Sequence, residues 1–497
     1  MRSSWLALVA LCLTSFFLAA LIAWTIFDAM PHSEDEQANW FQAQVFTAGQ
    51  VTAPVPVLAE AFPVPFVVEW NGRRFSKYPP GYSLLLVPSV WLDQPWLVNA
   101  VAAALGILAT FLLGRELFGA ETGLWAAALG VLSPLYLLLS GTLLPHVPTL
   151  TALTIFAWAL VRARRSVGSH GRRYSVLAGL CLGLAVAIRP WTAAAIALPF
   201  LALAGADLIR DARRHLGVYL PVAIAAAAVA AMWPVYNWLA AGSPRANPYT
   251  LWWDFDRVGF GPMVGNDGYT MRAALANLSA DLSRLAALWL AWPGGVWLAA
   301  PSALVLAALV FSGEDRCEWK LLAPPLSLIV AYTAYWAGSG ELYGPRYYAE
   351  GLPYLWILGA RGLSHVRRRW TPAVVNTVLL VGLCVGTLTT TVPQLLQRRN
   401  LYGISRTPWH RVVEANVQDA LVLVTSAHWT DYTPLSWRNH PLLERSDVVF
   451  ALALGCDQNA LLMQEFPGRD VWYYPAPGDE PLTRSYVFDC GLPQNDK

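Results

Sequence analysis

The stretch WLALVALCLTSFFLAALIAWTIFDAMPHSEDE, residues 5–36, decides how the rest of the chain is read. Its first part, Trp5 to Phe27, carries no charge and is longer than the roughly 20 residues a helix needs to cross hydrocarbon. It is too long for a signal-peptide core, and many similar runs follow, so it reads as a retained signal anchor. Its last part, Ser33-Glu34-Asp35-Glu36, sets three acids at the water edge of that helix. Charge is costly to bury at a membrane boundary. Carboxylates placed there suit general-base chemistry on a substrate held at the membrane surface.

The remaining composition agrees with a membrane protein. Hydrophobic residues make up 56% of the chain and charged ones 13%, so the usual count of soluble domains from length does not apply. The net charge of +2 gives no basic surface for nucleic acid. Arginine carries nearly all the positive charge, because the only lysines are Lys77, Lys320 and Lys497. Among the six cysteines there is no metal-type spacing. Cys12, Cys181 and Cys384 fall in apolar runs and read as small core hydrophobes. No cofactor is named by the sequence, and a divalent metal is left open.

Arginine placement gives an orientation. Clusters at Arg162, Arg164, Arg165, Arg172 and Arg173, at Arg210, Arg213 and Arg214, and at Arg361, Arg367, Arg368 and Arg369 mark cytoplasmic loops. About eleven spans follow by the ~20-residue criterion, near 5–28, 95–113, 122–140, 146–163, 174–189, 191–209, 216–240, 285–311, 320–337, 350–364 and 372–392. The odd count places the N-terminus in the cytoplasm and the tail outside the cell's inner or plasma membrane. The first external loop covers about 29–94, and its apolar stretch Gly81–Leu92 is too short to cross. The fold class expected is therefore an all-α polytopic membrane protein, residues 1–392, with a small extracytoplasmic α/β domain at 395–497. In that tail Ala420–Ser426, Val448–Leu454, Val471–Tyr474 and Ser485–Phe488 read as strands, and Asn459–Phe466 as a helix. An oxidising compartment would permit a Cys456–Cys490 disulfide; two free thiols are the alternative.

Four external segments carry candidate chemistry. Ser33 to Glu36 spells a capping box, which accounts for Glu36 but not for the extra acid Asp35. The helix it starts has Ala38, Phe41, Val45 and Ala48 on one stripe, spacing that suits a helix lying in the interface. Arg73-Arg74-Phe75-Ser76-Lys77-Tyr78-Pro79-Pro80-Gly81-Tyr82 puts cations where a lipid phosphate would sit; snorkelling beside an interfacial segment is the other reading. Gly340-Glu341-Leu342-Tyr343-Gly344-Pro345-Arg346-Tyr347-Tyr348-Ala349-Glu350 reads either as a sugar-stacking polar site or as an aromatic belt. Arg189 adds a cation at a span end, and the loop Asn247–Asp267, with Tyr249, Trp252, Trp253, Asp254, Asp256 and Arg257, could line a carbohydrate cleft. His146 opens the fourth span, either as a hydrogen-bonded structural residue or as part of the site.

Asp35-Glu36, Lys77 to Tyr82, the cytoplasmic link Gly114-Arg115-Glu116-Leu117-Phe118-Gly119, and Gly344-Pro345-Arg346-Tyr347 together resemble the GT-C membrane glycosyltransferases. Within them, the bacterial relatives of protein O-mannosyltransferases and the lipid A aminoarabinose transferase are the nearest in pattern. The resemblance covers roughly residues 1–392. It implies an inverting transferase using a polyprenyl-phosphate-linked sugar donor on the outer face, with a glycan, lipid or protein hydroxyl as acceptor and membrane lipids as surroundings. Asp35, with Glu36 beside it, would be catalytic; Lys77, Arg346 and Arg189 would hold the donor phosphate. Tyr78, Tyr82, His146, Glu341, Tyr343 and Tyr347 would line the cleft. Where relatives often have an acid at the outer start of the fourth span, this chain has His146, which departs from the pattern. A transporter or flippase of lipid-linked saccharides is the rival from another class; it requires charges buried mid-span and an inverted repeat.

Overall fold

The computed structural model describes residues 2–166, 168–294, 299–313, 316–339, 342–426, 428–476 and 482–484. In hydrocarbon every backbone N–H and C=O must be paired within the segment, and this chain meets that demand with helices. Helix α1 runs Arg2–Thr25, and α2, Glu34–Thr47, follows it at the acid triplet. Then come α3 (Pro80–Trp91), α4 (Leu97–Phe118), α5 (Ala120–Val131), α6 (Pro134–Ser140), α7 (His146–Arg165), α8 (Gly168–Ile188), α9 (Pro190–Ala230) and α10 (Met232–Ala241). Helix α4 lies between α1, α5 and α7, while α7, α8 and α9 pack side by side.

Among the described residues, six helices are long and apolar enough to span a membrane, or seven if α5 and α6, bent by 64° at their break, count as one. The expectation of about eleven differs for identifiable reasons. The two spans expected at 191–209 and 216–240 fall in a stretch that counts once by length, but Asp211, with non-helical φ −157° and ψ 86°, breaks it into two halves, one on each side of the expected boundary. The segment at 285–311 is divided between the end of α12 (Met271–Leu288), which follows the short α11 (Pro248–Trp252), and α13 (Ala299–Val310). At 320–337 the prolines Pro324 and Pro325 accompany a split into α14 (Cys317–Leu321) and α15 (Ala323–Thr333). Helix α16 (Leu352–Arg369) ends in three consecutive arginines.

The segment between α1 and α4 is built, not loose. Strands β1 (Ala53–Pro54), β2 (Val67–Trp70) and β3 (Arg73–Ser76) form an antiparallel sheet in the order β1-β3-β2. The β2–β3 turn is Asn71-Gly72, both at positive φ, a two-residue turn whose twist matches the strands. Strand β3 runs straight into Lys77 and Tyr78, so the hairpin delivers those side chains. Helix α2 is not the interfacial helix its apolar stripe suggests. Residues 36–43 are all buried, because α3, β3 and the C-terminal layer surround it.

After α17 (Pro372–Gly386) and α18 (Val392–Leu396), α19 (Thr407–Glu414) leads into a four-stranded sheet. Its strands are β4 (Ala420–Thr425), β5 (Val448–Leu452), β6 (Asp470–Pro475) and β7 (Thr483–Arg484), in the order β5-β4-β6-β7. The first three are parallel, and β7 pairs antiparallel with β6. The central β4 is buried along nearly its whole length, as a strand covered on both faces must be. Val422 and Val424 pack toward α20 (Trp429–Ser436). Leu421 and Leu423 face α21 (Cys456–Glu465) together with Ala61 and Phe62 of the first loop. The tail therefore shares a core with residues of the first loop. The strand expected at Ser485–Phe488 lies outside the described residues, as does Cys490 of the Cys456–Cys490 pairing.

Candidate active site

The acid triplet separates into different roles because a helix turns 100° per residue. Ser33 caps α2, and Glu36 returns a bond to the Ser33 amide, completing the capping box. Glu36 goes further: its carboxylate also accepts from the amides of His32 (2.7 Å) and Leu143 (2.7 Å), tying the entry of α2 to the loop before α7. It is buried away from any opening, so its place is in the frame, where sequence reasoning had set it beside Asp35. Asp35 turns the other way. Arg346 reaches one of its oxygens at 3.1 Å and the Tyr78 hydroxyl donates to the other. Asn39 holds the Asp35 backbone carbonyl at 2.7 Å.

Lys77 and Tyr78 come from the β3–α3 connection. Gly81 lets α3 press onto the end of α8: a Cβ there would sit 2.7 Å from the Ala187 backbone. Lys77 is buried and pairs with Asp256 at 3.1 Å. Its ammonium lies 3.6 Å from the Phe66 ring centre and 4.8 Å from that of Trp253. Burial pushes the Lys77 pKa down, while Asp256 pulls it the other way. Lys77 therefore stands one layer behind the opening, with Asp256 in front of it.

Gly344, at φ +65°, makes the turn that presents Arg346 and Tyr347. Burial works against the Arg346 charge, but Asp35 and Tyr347 outweigh it and raise its pKa. Arg189, at the start of α9, pairs with Glu350 and donates to Nδ1 of His146 and to the Tyr332 hydroxyl at 2.9 Å. Since arginine only donates, that Nδ1 is an acceptor and the His146 ring is neutral there. Tyr347 stacks on Tyr332 with ring centres 4.8 Å apart.

These groups surround a half-open cavity of about 840 Å³. Of the residues expected from the sequence, Asp35, Tyr78, His146, Arg189, Tyr249, Asp256, Arg257, Arg346 and Tyr347 line it, whereas Trp252, Trp253 and Asp254 do not. Tyr82 does not; it is buried and bonded to Asn99 at 3.0 Å. Tyr343 is likewise buried, stacked on Phe27. Glu341 lies outside the described residues. Sequence reasoning missed Tyr332, Tyr335 and Arg245, which also line the cavity. The two tyrosines stand near the end of an apolar run, and nothing in their spacing set them apart. Arg245 and Arg257 are exposed at the cavity, and neither has a carboxylate partner among the described residues. A divalent ion does not fit this donor set. Asp35, Asp256 and Glu350 are each already paired with a cation, and no group of three or more His, Cys, Asp or Glu side chains converges among the described residues.

Comparison with known proteins follows the same lines. Residues 92–238 match the family model of dolichyl-phosphate-mannose-protein mannosyltransferases. Crystallised ArnT from Cupriavidus metallidurans, bound to undecaprenyl phosphate, superposes with a TM-score of 0.61 at 14% identity, covering 95% of this chain and 93% of its own. The fold is that of the GT-C membrane glycosyltransferases. Two further GT-C structures are similar. Archaeal oligosaccharyltransferase AglB from Archaeoglobus fulgidus, in complex with an inhibitory peptide and a dolichol-phosphate, gives a TM-score of 0.50 at 14% identity, over 95% of this chain and 69% of its own. Arabinofuranosyltransferase AftD from Mycobacteria gives 0.50 at 15% identity, over 91% of this chain and 32% of its own. No curated protein sequence matches the chain.

Proposed function

We propose that the chain is an inverting glycosyltransferase, moving a sugar from a polyprenyl-phosphate carrier to a hydroxyl acceptor at the outer face of the inner or plasma membrane. One observation carries this reading: Asp35 opens onto a cavity that also presents Arg346, together with Arg245 and Arg257, which have no carboxylate partner among the described residues. Each carboxylate oxygen has two lone pairs, so after bonding Tyr78 and Arg346 each retains a site for an acceptor hydroxyl. The acceptor oxygen gives its proton to Asp35 and bonds to the anomeric carbon. The bond from that carbon to the phosphate oxygen breaks on the opposite side, and its electron pair leaves with the phosphate. Arg257 and Arg245 meet the charge that develops there. Lys77 neutralises Asp256, whose bare carboxylate would repel the same phosphate.

The carrier is a lipid because no nucleotide sugar is available outside the cell, and ArnT and AglB have been solved with lipid phosphates of this kind. In this reading residues 1–392 form the catalytic part, with a cytoplasmic N-terminus, and 395–497 an extracytoplasmic part. The flippase alternative is less well supported. Asp35, Asp256 and Arg346 sit outside the long helices, and His146 and Arg189 at helix ends, instead of mid-span.

A transfer assay tests the proposal: labelled polyprenyl-phosphate sugars offered with glycan, lipid and protein acceptors, and the product's anomeric configuration read by NMR. Inversion with release of polyprenyl phosphate is expected. Net retention, or lipid translocation without transfer, would overturn it.

A further inference from the structure

A second groove lies at the other end of the molecule. Helix α7 begins at the cavity with His146 and runs 20 residues, about 30 Å at 1.5 Å per residue, so Arg165 lies at the opposite end. Helix α8 climbs back toward the cavity, α9 descends to its kink at Asp211, and its second half climbs again to α10, whose Asn237 lines the cavity. Arg172, near the start of α8, and Arg213, just past the kink, therefore share the end remote from the cavity.

An open groove runs beside the two helices. Higher up, Gly179 and Gly183 let α8 and α9 touch backbone to backbone at Val222 and Ala226. Alongside that contact and on toward the kink runs a groove of about 570 Å³, walled by Val176, Leu216, Leu220 and Ile224 and ending at Arg172 and Arg213. The neighbouring arginines Arg162, Arg164 and Arg165 are engaged by Glu116 and Asp207. Arg172 and Arg213 are exposed and have no carboxylate partner among the described residues. An apolar trough ending in two uncompensated cations matches an acyl chain joined to an anionic headgroup.

We propose that this groove binds one anionic phospholipid of the leaflet opposite the catalytic cavity, its phosphate held by Arg172 and Arg213 and a chain lying along α9. At about 1 kcal/mol per basic residue near a membrane surface, the two arginines give a preference of roughly 25-fold over a zwitterionic lipid, at 1.4 kcal/mol per tenfold.

Native mass spectrometry of the full-length protein, titrated with phosphatidylglycerol or phosphatidylethanolamine, tests this. The expected result is one retained phosphatidylglycerol, lost in Arg172→Gln/Arg213→Gln. It should also be lost in Gly217→Phe, which fills the trough at a position where an added Cβ meets nothing within 4 Å. Inorganic phosphate should not displace it, since it lacks the chain; displacement would reduce the site to a simple anion site and overturn the proposal. Arg210→Gln/Arg214→Gln, outside the groove, should leave binding intact. Equal loss in that control would mean diffuse surface charge instead of a site. An unchanged phosphatidylglycerol preference in the Arg172/Arg213 variant would also overturn it.

Discussion

Replacing Asp35 with Asn isolates charge from shape. The amide keeps the volume, leaves the backbone bond to Asn39 untouched and still accepts from Tyr78, but it can take no proton and no longer compensates Arg346. A positioned general base contributes about 10²–10⁴ in rate. The expected fall in kcat is of that size, a barrier rise of about 2.7–5.5 kcal/mol. The folding cost should be smaller. The Asp35 and Arg346 side chains are 19% and 17% exposed, so water screens part of what an unpaired cation loses. About 1–2 kcal/mol is expected, below the 3–5 of a fully buried pair. Single-turnover transfer in nanodiscs, with thermal melting of the same sample, separates the two effects. A folded Asp35→Asn enzyme retaining more than about a tenth of the wild-type rate would refute the assignment of Asp35 as base.

Other perturbations have distinct signatures. Glu36→Gln removes the charged acceptor shared by three backbone amides, and hydrogen bonds to charged groups are worth about 1.5–3 kcal/mol, so melting temperature should fall while kcat of the folded fraction holds. A lost kcat at normal stability would return Glu36 to the catalytic set. Lys77→Ala leaves Asp256 buried and unpaired at a cost of about 3–5 kcal/mol, and Lys77→Ala/Asp256→Ala should recover part of it in a double-mutant cycle. Strict additivity would show that the pair is uncoupled. Arg257→Gln should raise the donor KM and leave melting unchanged, because among the described residues its guanidinium bonds only the Asp254 carbonyl, at 2.7 Å. A donor KM equal to wild type would remove it from the phosphate site.

Much of the scaffold is legible because the bilayer imposes it. A run such as Trp5–Phe27 has one stable outcome in hydrocarbon, and the arginine clusters mark one end of the helices whatever their packing. Boundaries were harder. The short helices around Pro324 and Pro325 depend on local backbone breaks that hydropathy averages away. Within the acid triplet, composition could not tell neighbours apart: Asp35 and Glu36 are both carboxylates, and only the turn of the helix sends one to the cavity and the other into backbone amides.

The sequence alone determined a helical membrane protein with acids, cations and tyrosines concentrated in the segments between its apolar runs, because apolar length and charge placement are local properties. Tertiary structure decided the pairings. It set Arg346 on Asp35 across more than 300 positions, interposed Asp256 before Lys77, and joined the tail's sheet to the first loop through Phe62. No window along the chain holds that information, since each pairing depends on where distant helices bring their ends together.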